Sequence, residues 1–132
     1  MSRLVSLLLD VVLVLVFATI GRRSHAEGLS VAGVLDTAWP FLAGVLLGHL
    51  IALGLRLRAS TLPAGAVVLV AAVAGGMLLR RATGDGTDPA FVVVATLTLG
   101  VFLLGWRLVT RLGARRRTRS APRPTGAPGR RP

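Results

Sequence analysis

The sequence predicts an all-α, polytopic membrane protein whose four transmembrane helices form two parallel-repeat hairpins. Three observations carry this. Hydrophobic residues make up 53% of the 132 positions and come in four blocks, not in the amphipathic periodicity of a soluble core. Each block is close to the roughly 17 to 25 residues that cross a hydrocarbon core about 30 Å thick. The sixteen basic residues, all Arg, fall almost wholly between the blocks or after the last one. The absence of Lys reads as GC-rich coding bias and not as sixteen separate demands for a guanidinium.

The first block runs from Leu4 to Ile20 and contains Asp10. An acid at the centre of a span costs about 2.5 to 3.5 kcal/mol, against about 0.3 to 0.6 gained per central Leu, Val, Ile or Phe. The block has thirteen such residues, so insertion wins. Ser24-His25-Ala26 offers a small-x-small cleavage site, but the run before it is long for a signal core, holds Asp10, and is separated from the site by Arg22-Arg23. The second span is expected over 39–55, with Trp39 at the headgroup boundary and Pro40 in the first turn, preceded by a short surface helix over 30–37. The third, 62–79, is started by Ser60 and Thr61 ahead of Pro63. The fourth, 91–109, is started by Asp88 ahead of Pro89, with Trp106 at its far interface. Residues 1–112 thus form one membrane domain. The Arg- and Pro-rich tail, 113–132, has no apolar face to pack and is expected to be disordered.

Twelve arginines (Arg3, Arg56, Arg58 and nine from Arg107 to Arg131) fall on one face of the bilayer. Four (Arg22, Arg23, Arg80 and Arg81) fall on the other. The positive-inside rule therefore predicts a multi-pass protein of the plasma membrane with both termini cytoplasmic. The two outer loops repeat a pattern, Arg22-Arg23 to Glu27-Gly28 and Arg80-Arg81 to Asp85-Gly86, at identical spacing. Each follows an outward helix and precedes an inward one, which gives two hairpins of the same sense.

The stretches LLLDVVLVLVFATIGRRSHAEG, TAWPFLAG, GGMLLRRATGDGT and PAFVVVATLTLGVFLLGWR cover most of residues 7 to 107. In them the sequence resembles domain-of-unknown-function family 3054, small bacterial and archaeal membrane proteins without an assigned activity. The resemblance implies a membrane protein, supplies no catalytic residue, and leaves the tail after Leu112 outside.

Asp10 and His49, counted inward from the ends of their spans, lie at matching depth. Intramembrane ionisable groups usually face a partner or a water path, so the two are candidates for a pair that holds or passes a proton. The plainer reading has Asp10 bonded to Ser6 and Arg3, which share its helix face, and His49 packed against a carbonyl. Arg22, Arg23, Arg80 and Arg81 are candidate contacts for one anionic group, a lipid phosphate or a carboxylate. They would equally serve as caps on the negative ends of two helices. Gly44 and Gly48, and Ala71, Ala72, Gly75 and Gly76, are small-residue faces for close helix contact, within one chain or between copies. Thr96 and Thr98 read as hydroxyls bonded to their own helix.

With no Cys, two His and five acids, thiolate chemistry is excluded and a metal site is improbable in chemical terms; neither a cofactor nor an enzyme activity is expected. The expected partners are the lipid bilayer, anionic inner-leaflet lipids through the tail, and further copies of the chain, with no specific nucleic acid. Function is expected to be that of a small oligomeric transporter or channel-like protein; the alternative is a non-enzymatic scaffold or lipid-interaction subunit.

Overall fold

The structure, a computed structural model, describes residues 1–23, 29–122, 124 and 126. Ser24, His25, Ala26, Glu27 and Gly28 lie outside it, and with them the first copy of the loop repeat and the candidate cleavage site. The described residues form four helices, α1 (Arg3–Arg23), α2 (Val31–Gly54), α3 (Leu62–Ala82) and α4 (Pro89–Arg119). All four are long and apolar enough to cross a membrane, so the chain is a multi-pass membrane protein.

Helix starts follow side-chain chemistry. Val5 N–H donates to Ser2 Oγ, Gly33 N–H to Ser30 Oγ, Ala64 N–H to Thr61 Oγ1 and Ala90 N–H to Asp88 Oδ1. Each satisfies an amide that the first turn leaves without a helical partner. The second start differs from the sequence expectation. Residues 30–37 are not a separate surface helix but the first turns of α2, and Pro40 lies inside that helix, buried. Ser30 supplies the cap that a Pro-led start at residue 39 would have lacked, and Pro40 removes one N–H from the ladder without ending it.

The tail expectation is corrected over 113–119, and residues 123, 125 and 127–132 lie outside the described residues. Helix α4 continues through Gly113 to Arg119 without a break and is capped at Ser120. Gly113 costs about 1 kcal/mol relative to Ala, but Arg is a good helix former. Arg116, Arg117 and Arg119 in the last turn also complement the negative end of the dipole.

The helices form an up-down ring in which α1 touches α2 and α4, and α3 touches α2 and α4; of the diagonal pairs, α2 and α4 meet through the Phe41 and Phe91 rings, 6.2 Å apart between centroids. Met1, the α2–α3 loop and Arg111 border one cavity, so the start of α1, that loop and the C-terminal part of α4 share a face, here called the termini face. Polarity is inverted relative to a soluble bundle. Leu4, Leu8, Val12, Val16 and Ile20 form an exposed stripe on α1. Ser6, Asp10, Val14, Phe17 and Ala18 of the same helix are buried. An apolar exterior over an interior that holds Ser6 and Asp10 among its apolar side chains is stable only where the solvent is lipid.

The tightest crossing is α2 on α3. A Cβ on Gly44 would lie 2.6 Å from Ala71 O and 2.7 Å from Ala72 Cα, and one on Gly48 would lie 2.6 Å from Val68 Cα. A Cβ on Gly76 would lie 2.7 Å from the Phe41 ring. These small-residue faces therefore meet within one chain. Past Gly54, α2 ends in a paired closure, Leu57 N–H to Ala52 O and Arg56 N–H to Leu53 O, with Arg56 at φ 60°. That position normally takes Gly, and holding Arg there costs about 1 kcal/mol.

Gly44→Ala and Gly48→Ala each force backbone apart and should destabilise the purified protein by about 1–3 kcal/mol in thermal unfolding. Gly105→Ala, with nothing within 4 Å of its Cβ position, should be neutral or stabilising. Equal Tm values for the two classes would contradict the close crossing.

Candidate functional site

Four polar side chains, one from α1, one from α2 and two from α4, meet about two helical turns beneath the termini face. Asp10 is 0% exposed, Arg107 0% and His49 9%. Arg107 grips the carboxylate with both ends of its fork, Nη1 to Oδ1 at 2.9 Å and Nη2 to Oδ2 at 2.8 Å. His49 Nε2 lies 2.7 Å from Oδ2, and Trp106 Nε1 donates to Oδ1 at 2.9 Å. The two oxygens thus take four contacts, which fills the acceptor capacity of a carboxylate. With Asp10 ionised, the short contact to His49 requires a proton on Nε2, so the ring is the Nε2–H tautomer or the imidazolium.

Arg107 is held on its other edges by backbone. Nε donates to Ala59 O at 3.0 Å and Nη1 to Leu103 O at 2.7 Å. Its guanidinium lies 4.4 Å from the Trp106 ring centroid. Gly65 of α3 makes room for it, since a Cβ there would lie 2.6 Å from Arg107 Cδ. Moving two ions out of water costs several kcal/mol each, and only such near-complete pairing offsets that in the low-dielectric interior.

Arg107 also forms part of the wall of an open cavity of about 730 Å³ on the termini face, bordered by Arg56, Arg58, Ser60, Thr61 and Arg111. Arg107 thus borders the cavity on one side and binds Asp10 on the other, while itself 0% exposed. Neither Ser6 nor Arg3 bonds Asp10. Ser6 Oγ donates to Ser2 O, and Arg3 Nη2 donates to Leu57 O at 2.7 Å.

On the opposite face Arg22 and Arg80 border a second cavity of about 310 Å³, together with Asp36 and Asp85. Arg80 donates to Gly86 O and lies 4.6 Å from the Phe91 ring centroid; Arg22 Nη1 reaches Thr37 Oγ1 at 3.5 Å. Arg23 and Arg81 are exposed and do not border it. Two of the four outer arginines are brought together, with two carboxylates beside them.

Sequence reasoning placed Trp106 at an interface and counted Arg107 as a surface charge; both are members of the buried cluster. An Arg that opens a run of arginines reads as topology. Its signal was its place directly after an apolar stretch, one residue from an indole N–H. Gly65 gave no signal beyond being a Gly inside an apolar helix.

A family model described as "Protein of unknown function (DUF3054)" matches residues 7–110. The match spans Asp10, His49, Gly65, Trp106 and Arg107, and ends before the last turns of α4. No curated protein and no solved structure matches the chain.

Asp10→Asn leaves Arg107 buried without a counterion and should cost about 3–5 kcal/mol. The paired change Asp10→Leu with Arg107→Met removes both charges and should recover most of that loss, as read by thermal unfolding in one detergent. Losses that simply add in the double variant would mean the two side chains do not interact.

Proposed function

The chain belongs to the DUF3054 family, and we propose that it is a small, oligomeric transporter or channel-like protein that moves an anion together with a proton, with Arg107, Asp10 and His49 as its working centre. One observation carries the reading: Arg107 is at once the wall of an open cavity and the counterion of a buried carboxylate. An anion entering the cavity competes with Asp10 for the guanidinium. As Arg107 turns to the anion, Asp10 loses its compensating charge in a low-dielectric site and binds a proton, which His49 passes from Nε2 to Oδ2. Anion entry and protonation of Asp10 are then coupled, and neither charge is left alone inside the bilayer.

Beyond the centre, Val14, Phe41, Val45, Val68 and Leu99 fill the core at 0% exposure. Passage to the second cavity therefore requires helix movement, or a path between copies of the chain, and four helices per copy favour the latter. By the excess of arginines the termini face is taken as cytoplasmic and the membrane as the plasma membrane. The saturation of Asp10 supports a second reading, in which the cluster is a lock in a non-enzymatic membrane scaffold and nothing is transported.

In proteoliposomes with a pH gradient, the wild type should carry anion-dependent proton flux that Asp10→Asn and His49→Ala abolish at equal incorporation. No flux across phosphate, carboxylates and halides would remove the transport reading and leave the scaffold. Orientation is checked separately in this Cys-free chain. Ser2→Cys should resist an impermeant maleimide in intact cells while Thr83→Cys reacts, and the opposite pattern would invert the assignment.

A further inference from the structure

We infer that the termini-face cavity is a binding site for a phosphoryl group, carried by free phosphate or by a phospholipid headgroup, with Arg56, Arg58 and Arg111 as its ligands. This deepens the transport reading and rests on it for the fate of the ligand, although capture itself is measured without flux.

The cavity's charge is uncompensated. Arg56, Arg58, Arg107 and Arg111 border it, and no acid does. Arg107 is committed to Asp10, but among the described residues Arg56, Arg58 and Arg111 make no ion pair. The cavity on the opposite face is the internal control, because there Arg22 and Arg80 are matched by Asp36 and Asp85.

The loop is also shaped for the purpose. Arg3 bonds Leu57 O and Arg107 bonds Ala59 O, so the carbonyls on either side of Arg58 are pinned, and Arg56 and Arg58 both border the cavity. Arg56 occupies a left-handed backbone position that glycine would fill without strain. Ser60 adds a hydroxyl, and the positive end of α3 opens alongside.

The donor set selects the ligand class. A monocarboxylate has two oxygens on one plane and one charge, which a single Arg fork satisfies. Three guanidiniums, two from the α2–α3 loop and one from α4, call for a tetrahedral group with acceptors in several directions and up to two charges. At about 730 Å³ the cavity also has room for an organic portion beyond the phosphoryl group.

The test is equilibrium binding to the full chain in phosphatidylcholine nanodiscs, with radiolabelled inorganic phosphate as one probe. The other probe is retention of phosphatidic acid or phosphatidylglycerol by native mass spectrometry. Wild type should bind one of them saturably, which also identifies the source. Arg56→Gly with Arg58→Gln and Arg111→Gln should weaken it at least tenfold. Arg56→Gly relieves the backbone, so the fold is retained. A control triple, Arg115→Gln, Arg116→Gln and Arg117→Gln, removes equal charge from residues that do not border the cavity and should leave binding within twofold.

No saturable binding of either probe, or equal loss in both triples, overturns the site. Saturable binding without flux keeps the site and removes transport. Flux without binding removes the site and keeps transport.

Discussion

The bidentate contact between Asp10 and Arg107 is the constraint on which the rest of the bundle depends. It joins the first helix to the last across 97 positions of sequence and closes the ring at the α1–α4 seam. Each other segment supplies one condition for it. Helix α2 brings His49, the α2–α3 loop offers Ala59 O, and α3 contributes the missing side chain at Gly65. The pair is not a cheap source of stability, since two desolvated ions roughly break even against apolar residues of the same volume. What it provides is uniqueness of arrangement. A guanidinium fork and an indole N–H converging on one carboxylate fix one register of α1 against α4, whereas Leu against Leu would admit several.

The α2–α3 crossing serves the same centre from the other side. His49 follows Gly48, whose Cα lies against Val68, and Gly65 sits one turn before Val68 on α3. The backbone surface that holds α2 close is thus continuous with the recess that admits Arg107. A side chain larger than hydrogen at Gly48 would push α2 outward and carry the His49 ring away from Oδ2. Packing and polar geometry are not separable here, because the same two turns of α3 set both.

Much of the architecture was legible in the sequence because insertion in a bilayer imposes length and hydropathy on each span independently. Caps at Thr61 and Asp88 were legible for an equally local reason. The matching depth of Asp10 and His49 could be counted along the chain, since rise per residue is fixed. Rotation about the helix axis could not, and it decides which arginine faces inward, so Arg107 was hidden as one of the nine arginines from residue 107 onward. Pro40 misled for a related reason. Proline signals a start only where no better cap lies upstream, and Ser30 is that cap. The helix from 113 to 119 continues because α4 is already nucleated, and extension costs far less than initiation.

The two faces differ in the balance of charge beside their cavities. On the far face, guanidiniums and carboxylates are balanced beside the cavity, so its field is short-ranged and screened. On the termini face, uncompensated guanidiniums surround a concavity with apolar walls behind, an arrangement that concentrates field lines and raises the local concentration of anions. The buried cluster of Asp10, His49 and Arg107 lies toward that face, and Arg107 borders the cavity. A proton arriving first would meet a repulsive wall of guanidiniums, while an anion arriving first lowers that barrier as it binds. Under the transport reading proposed above, entry order would follow from the layering: the anion would precede the proton, and the carboxylate would change its charge only after its counterion had been claimed.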